Sequence, residues 1–383
     1  MASHELSLKN AKLVTPSEVI YGAVHICDGK ITDVCGGSRV TANAIDLEGD
    51  YLLPGLVDVH TDNLERLLMP RSGAAWPVMA ALIAHDAQIA SAGITTVLDA
   101  LCVGTTGQGV RDFEKVKEAI ALIDVAKSER MFRGEHLLHL RAELTHEQAA
   151  DMFAQLCEHP ALVLVSLMDH TPGQRQYADR EKLIAYISME KRDPKLSDEQ
   201  IRAMVEGLEA RQKYSAANRR QVLAMVADRA LALASHDDTT AEHVRQSRAE
   251  GISISEFPTT RVAAEAARAH DMRVVAGSPN LVLGRSHSGN VSVADLAKSK
   301  LLDVLASDYV PSSLLHGAFL LEETLAMPLP EAICMVSQSP ARLVGLNDRG
   351  GIEIGKRADL VRVRKMQGLP VPLTVWRAGE RIA

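Results

Sequence analysis

Six residues of metal-ligand type stand at the ends of segments that the sequence predicts to be β-strands. His60 and Asp62 lie two positions apart, so in a strand both side chains point to the same side and can bind one cation. Taken alone, a histidine after a strand is more often a structural residue, and a carboxylate often caps a helix or faces solvent. Six such residues at successive strand ends need a common cause, and the set therefore predicts a metal centre. The other four are Glu143, His170, His236 and Asp308.

Apolar β-type runs alternate with helical stretches through the middle of the chain, which is the pattern of a parallel sheet wrapped by helices. The carboxyl ends of the strands in a (β/α)8 barrel meet at one mouth, so this fold would bring the six residues together. We therefore predict an α/β fold with a TIM-like (β/α)8 barrel over residues 55–349. Its strand candidates are residues 56–59, 95–98, 137–140, 162–167, 232–235, 252–256, 273–276 and 304–306.

The two ends of the chain share a different pattern of short β-type runs and turn signals. Because chain termini commonly lie close together, residues 1–54 and 350–383 are predicted to form one small β-sandwich domain. Residues 178–228 are charged, helix-prone and too numerous for an ordinary loop. We expect them to form a helical insertion after the fifth barrel strand.

Composition excludes several functions. A net charge of −7 and an aromatic content of 3% argue against a surface for nucleic acid or anionic membranes. If the substrate is an anion, the positive charge that binds it must be local. The five cysteines are scattered, which favours neither a disulfide framework nor a zinc knuckle. Without a secretory-type N-terminus or a run of about 20 apolar residues, we expect a cytoplasmic protein.

Two segments resemble a known family. Residues 53–60, Leu-Pro-Gly-Leu-Val-Asp-Val-His, are similar to the first-strand signature of the amidohydrolase superfamily. Residues 355–361, Gly-Lys-Arg-Ala-Asp-Leu-Val, resemble its returning β segment, and the resemblance covers nearly the whole chain. The sequence departs from the family twice. Asp62 stands where relatives carry a second histidine, and Glu143 stands where they carry a lysine.

Longer motifs resemble one branch of that superfamily, the diphosphatases of phosphonate catabolism. The resemblance implies hydrolysis of a methylphosphonate-bearing ribose 5-triphosphate to the 5-phosphate and pyrophosphate. It also implies that all six ligand-type residues form the metal centre, with Glu143 in the bridging place of a carbamylated lysine. Asp308, His236 and Glu143 are the predicted catalytic residues, and Asp308 is the natural acceptor for the proton of the attacking water. The motifs are residues 60–65, 70–71, 76–77, 235–239 and 286–290.

The predicted cofactor is one or two divalent cations. A divalent cation lowers the pKa of bound water to ~7, and a second cation can hold the other oxygens of an in-line displacement. Three carboxylates and three imidazoles make a ligand set of borderline softness. Zinc is the first expectation, manganese and iron are alternatives, and magnesium suits three imidazoles less well.

The expected partner is a small phosphorylated sugar, and a homodimer stays open. Arg175 follows His170 closely, and arginine binds phosphate in a bidentate manner, although a surface salt bridge is the plain alternative for it and for Arg285. Loop 104–109 could offer backbone N–H groups to phosphate, but an ordinary glycine-rich turn explains it equally well. The region after the seventh strand, where barrels often bind phosphate, supplies the remaining candidates. They are Asn280, Arg285, Ser286, His287 and Asn290.

The sequence leaves two other functions open. An amide-bond hydrolase or deaminase of the same superfamily would share the metal centre, but Asp62 and the phosphate-type loops disfavour it. A non-catalytic scaffold would be marked by loss of metal ligands, and none of the six positions has lost its ligand.

Overall fold

The structure, a computed structural model, describes residues 5–37, 43–71, 74–104, 112–177, 181, 183–184, 197–286 and 289–383. The strands, in chain order, are β1 Glu5–Val14, β2 Val19–Cys27, β3 Lys30–Gly36, β4 Ile45–Asp46, β5 Tyr51–Pro54, β6 Leu56–Thr61, β7 Ile94–Val103, β8 Glu135–Glu143, β9 Leu162–Met168, β10 Ala232–His236, β11 Ile254–Glu256, β12 Arg273–Gly277, β13 Val304–Ala306, β14 Leu360–Met366, β15 Leu369–Arg377 and β16 Glu380–Arg381.

Helices lie mainly between the strands of the central region. In chain order they are α1 Asn63–Leu68, α2 Val78–Ser91, α3 Phe113–Ser128, α4 Ala149–Ala154, α5 Asp198–Glu209, α6 Gln212–Val226, α7 Ala241–Ala249, α8 Arg261–Ala269, α9 Ser278–Leu283, α10 Val293–Lys298, α11 Ser313–Leu325, α12 Leu329–Cys334 and α13 Gln338–Leu343, with one 3₁₀ turn at Arg175–Tyr177. No helix in the described ranges is long and apolar enough to cross a membrane.

Strands β6 to β13 form one parallel sheet in which each strand pairs with the next along the chain. A parallel bridge between Thr61 and Asp308 joins the first strand to the turn after the last. Backbone hydrogen bonds from Asp62 N to Asp308 O (2.7 Å) and from Asp308 N to His60 O (3.0 Å) reinforce it. All eight predicted strands are confirmed. The same contacts that draw the sheet into a barrel therefore bring the first and last predicted ligands together.

The barrel interior below the mouth is filled by apolar side chains. Leu98, Leu164, Ile254 and Val304 belong to one buried cluster and are each at most 1% exposed. Because parallel barrel strands are covered on both faces, β7 is buried along its whole length. The interior is a packed core rather than a channel, which confines the polar chemistry to the strand ends.

Both ends of the chain contribute to a second sheet with the strand order β16-β15-β14-β5-β1-β2-β3, in which β4 also pairs with β1. The sheet formed by the termini is thereby confirmed. Its link to the barrel passes through Gly55, where a Cβ atom would lie 2.4 Å from Thr95 Oγ1 and 2.8 Å from Asp359 Cβ. The glycine of the first-strand signature is explained by this close approach.

The helical insertion is present in part but lies elsewhere in the strand order. Helices α5 and α6 fall between β9 and β10, which are the fourth and fifth barrel strands. The prediction that they follow the fifth strand is wrong, because the strand before them, β9, is the fourth barrel strand and also the fourth of the predicted strands. Ser197 begins α5 with a capping box closed by Gln200, which explains where this helix starts. Residues 178–180, 182 and 185–196 lie outside the described residues.

Candidate metal centre

The end of β6 and the turn after β13 bring three ligand-type side chains together. Ligand atoms of His60, Asp62 and Asp308 lie within 4.8 Å of one another. His60 Nε2 is 3.6 Å from Asp62 Oδ1, and the His60 side chain is 1% exposed. We call these three residues the first ligand group. Three of the six predicted ligands thus meet as expected.

A second ligand group lies at the ends of β9 and β10 and consists of His170, His236 and Asp237. Asp237 Oδ2 lies 2.9 Å from His236 Nδ1 and 3.6 Å from His170 Nε2. The ring centroids of His60 and His236 are 6.1 Å apart, so the two groups are neighbours. Asp237 is not among the predicted ligands, although it directly follows His236 in a run of two aspartates, a position that suggests a ligand.

Backbone strain marks this region. Asp237 and Asp308 both have φ near +56°, in the left-handed region that side chains other than glycine rarely occupy. Each residue directly follows a buried strand or lies within two residues of its end. Such strain costs on the order of 1–3 kcal/mol and is typical of functional sites. The structure therefore maintains an unfavourable backbone at two carboxylates of the candidate centre.

Within the described residues, several buried polar atoms in the two groups have no hydrogen bond of good geometry. They include His60 Nε2, both ring nitrogens of His236 and Asp237 Oδ2, although His236 Nδ1 and Asp237 Oδ2 form an ion pair with each other at 2.9 Å. A buried polar atom without a partner costs roughly 1–3 kcal/mol, so such atoms are rare in native proteins. Divalent cations are bound by imidazole nitrogen and carboxylate oxygen. These atoms therefore fit a bound cation, and the chemistry of the donor set agrees with that use.

Glu256, at the end of β11, orients His60 from below. Its Oε1 lies 2.8 Å from His60 Nδ1, and its Oε2 accepts a hydrogen bond of 2.7 Å from Ser166 Oγ. Because Nδ1 of His60 faces this carboxylate, Nε2 is the nitrogen that points toward the other ligands. Glu256 is not among the predicted site residues, although a carboxylate that closes the predicted strand 252–256 is a signal that the sequence offers. In the structure this side chain is 1% exposed.

Glu143 lies beside the second ligand group. Its Oε2 is 2.5 Å from His170 Nδ1, and its Oε1 accepts a hydrogen bond of 2.6 Å from Thr145 Oγ1. Burial opposes ionisation of Glu143, but the His170 charge together with hydrogen bonds from His170 and Thr145 outweighs burial and lowers the pKa of Glu143. The proximity to His170 is as expected, and a bridging role for Glu143 stays a prediction.

Two charged residues set the electrostatics of the first ligand group. Burial, and then the charge of Asp62, raise the pKa of Asp308 to about 6. Arg141, on β8, donates a hydrogen bond of 2.6 Å from Nη1 to Asp62 Oδ1 and is 7% exposed. Arg141 is not among the predicted site residues, although it directly follows the predicted strand 137–140, because its cationic side chain is not of metal-ligand type.

The predicted phosphate contacts are spread over different environments. Arg175 is buried, and its Nη1 donates to His236 O and Asp238 Oδ1, both at 2.8 Å. Asn280 bridges the backbone of Val291 and Val293. Arg285 is exposed, and Ser286 and Asn290 are half-buried. His287 and positions 105–109 of the glycine-rich loop lie outside the described residues, and all of these contacts stay predictions.

Another group of histidines and aspartates lies away from the mouth, between α2 and strands β7 and β8. We call His85, Asp86, Asp99 and His136 the outer cluster, and all four are 0% exposed. Asp99 bonds both imidazoles, His85 Nε2 at 2.9 Å and His136 Nδ1 at 2.8 Å. His136 Nε2 lies 3.4 Å from Asp86 Oδ1, and Asn63 Nδ2 lies 2.9 Å from His85 Nδ1. Every ring nitrogen of the outer cluster therefore has a partner, whereas among the described residues at the mouth His60 Nε2 and His236 Nε2 have no hydrogen-bond partner.

The chain matches a protein family model and is similar in sequence to known enzymes. Residues 81–367 match the model of the amidohydrolase family. The chain is 42% identical over 378 residues to α-D-ribose 1-methylphosphonate 5-triphosphate diphosphatase of Escherichia coli strain K12, covering 98% of this chain and 99% of that protein. It is 26% identical over 369 residues to adenine deaminase of Desulfatibacillum aliphaticivorans, covering 94% of this chain and 55% of that protein.

The fold also resembles solved structures. N-acetylglucosamine-6-phosphate deacetylase from Pasteurella multocida aligns over 99% of both chains with a TM-score of 0.63 and 15% identity. At that identity the likeness concerns the fold alone.

Proposed function

This chain belongs to the amidohydrolase family, and from that premise we propose that it is a divalent-metal-dependent diphosphatase of phosphonate catabolism. Its substrate would be α-D-ribose 1-methylphosphonate 5-triphosphate, cleaved to the 5-phosphate and pyrophosphate. The observation that carries the proposal is the 42% identity to the diphosphatase over nearly the full length of both proteins. The expected cytoplasmic location and homodimer stay predictions.

We propose one or two divalent cations as the cofactor, with zinc expected first and manganese or iron as alternatives. His60, Asp62 and Asp308 would hold one cation, and His170, His236 and Asp237 would hold the other. Glu143, which contacts His170, stays the candidate for a bridging ligand. When bound, such cations lower the pKa of water and offset the negative charge of phosphoryl oxygens.

The residues at the mouth suit hydrolysis of a phosphoric anhydride. Water attacks the phosphorus nearest the ribose, and Asp308 accepts one of its protons. The bond from that phosphorus to the bridging oxygen breaks, and its electron pair leaves with pyrophosphate. Glu256 keeps His60 in one orientation throughout, because its carboxylate contacts His60 Nδ1 at 2.8 Å.

A second candidate is a deaminase, favoured by the 26% identity to adenine deaminase. The experiment that separates the two incubates the metal-containing protein with the ribose triphosphate and, in parallel, with adenine. Pyrophosphate, orthophosphate and ammonia are assayed separately. We expect pyrophosphate to be released in equal amount to the ribose 5-phosphate product. Ammonia release from adenine without pyrophosphate release from the triphosphate would reverse the assignment.

A further inference from the structure

The candidate centre poses an electrostatic problem for an anionic substrate. Asp62, Glu143, Asp237, Glu256 and Asp308 place five carboxylates at or just below the mouth. These carboxylates offset much of the charge that divalent cations would bring. A polyphosphate therefore needs additional positive charge close to the ligands, as the overall charge of −7 already indicated.

Arg141 is the cation that the barrel places beside the first ligand group. Along β8, His139, Arg141 and Glu143 are separated by two positions each, so their side chains share the interior face. His139 lies deepest, hydrogen-bonded to Ser166, and Glu143 lies at the mouth beside His170. Arg141 is thus held between the packed core and the site, with its side chain 8% exposed.

The guanidinium of Arg141 is only partly used by the protein. Nη1 donates to Asp62 Oδ1, whereas the buried Nε has no hydrogen-bond partner within the described part of the chain. Arg175, which was predicted to bind phosphate, differs because its Nη1 donates to both a carbonyl and Asp238. A planar guanidinium whose N–H donors are not all used within the protein can bind phosphoryl oxygens in a bidentate manner.

We propose that Arg141 contacts a phosphoryl group of the substrate while it holds Asp62, which makes it the residue that selects polyphosphate anions at this site. This inference rests on the proposed function and names a contact within it. The positive charge reaches the ligands directly, since Arg141 shares a hydrogen bond with Asp62 and lies at the strand that carries Glu143.

The test measures binding rather than turnover, with inorganic tripolyphosphate as the probe. Calorimetric titration would compare the metal-containing wild type with Arg141→Met, Arg141→Lys and Arg219→Lys. Arg219 is a matched control, because it is also a buried arginine paired with a carboxylate, Glu250, but lies on α6. Metal content is measured on each sample by inductively coupled plasma mass spectrometry.

We expect Arg141→Met to weaken tripolyphosphate binding at least about tenfold, since a hydrogen bond to a charged group is lost. Arg141→Lys should weaken it less, because the charge stays but the fork is lost. Arg219→Lys should bind within about twofold of wild type. In all variants that keep their metal, the number of tripolyphosphate molecules bound per chain should be unchanged.

Two results would overturn the inference. One is a dissociation constant for Arg141→Met within about twofold of wild type. The other is a loss of metal and of binding stoichiometry with an unchanged dissociation constant, which would show that Arg141 only positions Asp62. If wild-type protein itself does not bind tripolyphosphate, the proposed function falls together with this inference. Failure of Arg141 alone is therefore distinguishable from failure of the function.

Discussion

The mouth of the barrel and the outer cluster are built from the same residue types but differ in how their polar atoms are satisfied. In the outer cluster, Asp99 bonds His85 and His136, and Asp86 accepts further hydrogen bonds from the backbone N–H groups of Arg133 and Gly134. At the mouth, in the part of the chain that the structure describes, His60 Nε2 and His236 Nε2 are buried without a hydrogen-bond partner. Proximity of histidine and aspartate is common to both, and it does not by itself identify a metal site.

The two regions differ in how their hydrogen bonding affects the free energy of the folded protein. A fully bonded buried network stabilises one arrangement of the fold, whereas unpaired buried donors and acceptors cost free energy until something binds them. The outer cluster also reaches the mouth indirectly, since its His85 is bonded to Asn63, the residue after Asp62. We therefore expect substitutions at the mouth to change metal content and turnover, and substitutions in the outer cluster to change stability.

The largest expected effect is at His60. His60→Ala should reduce bound metal and turnover by roughly a hundredfold or more, because even residues that merely orient metal ligands contribute 10–100-fold. The protein should stay folded but lose stability, because the substitution leaves the buried Glu256 carboxylate without its imidazole partner. Metal analysis, a pyrophosphate assay and circular dichroism measure these three properties. Unchanged turnover in a protein of unchanged metal content would refute the assignment of the first ligand group.

Asp99→Asn should have the opposite profile. It leaves His85 and His136 facing an amide in place of a carboxylate, and loss of one member of a buried charged pair costs about 3 kcal/mol. Urea unfolding measures the loss, and metal content should stay as in wild type. Asp124→Asn is the matched control, because Asp124 pairs with His159 at the same 2.9 Å but is 52% exposed. Its effect should stay below about 1 kcal/mol.

Removal of metal should destabilise the protein by an amount that depends on the ligands at the mouth and not on the outer cluster. Because a ligand that binds only the folded state stabilises it, a chelator should lower the melting temperature of wild type by about 5 °C. The Asp99→Asn variant should show the same drop from its lower starting point. The His60→Ala variant should show a smaller drop in melting temperature, because it binds less metal. Equal drops in wild type and His60→Ala would place the stabilising cation elsewhere.

The smallest effect concerns the charge of His136. Burial lowers the pKa of His136, but the Asp99 and Asp86 carboxylates outweigh burial and raise it to about 9. Its protonation therefore stabilises the fold fully below the unfolded value of about 6.5, and this contribution is lost as the pH rises to about 9.

The melting temperature of wild type should accordingly exceed that of His136→Gln by a few degrees at pH 6, and the difference should shrink toward pH 9.5. The comparison with the variant cancels titration at the mouth. A difference that grows with pH would show that His136 is neutral in the folded protein.

The eight barrel strands and the sheet formed by the termini were predictable, because strand signals are local apolar runs bounded by turn residues. Strand ends were predictable for the same reason, and with them the meeting of His60, Asp62 and Asp308. The place of the helical insertion was predicted wrongly, although the predicted strands themselves put residues 178–228 after the fourth candidate, 162–167. Phosphate contacts were the weakest part, because loop side chains such as Arg175 can turn to local carboxylates.

The sequence by itself determined the residue types at each strand end, because alternation and strand boundaries are properties of neighbouring positions. Only the tertiary structure decided which of those residues meet and which are satisfied. His60 and Glu256 are 196 positions apart, and Asp62 and Arg141 are 79 apart. Their pairings arise from barrel closure, a long-range event that no local pattern encodes. The distinction between an unsatisfied mouth and a saturated outer cluster arises in the same way.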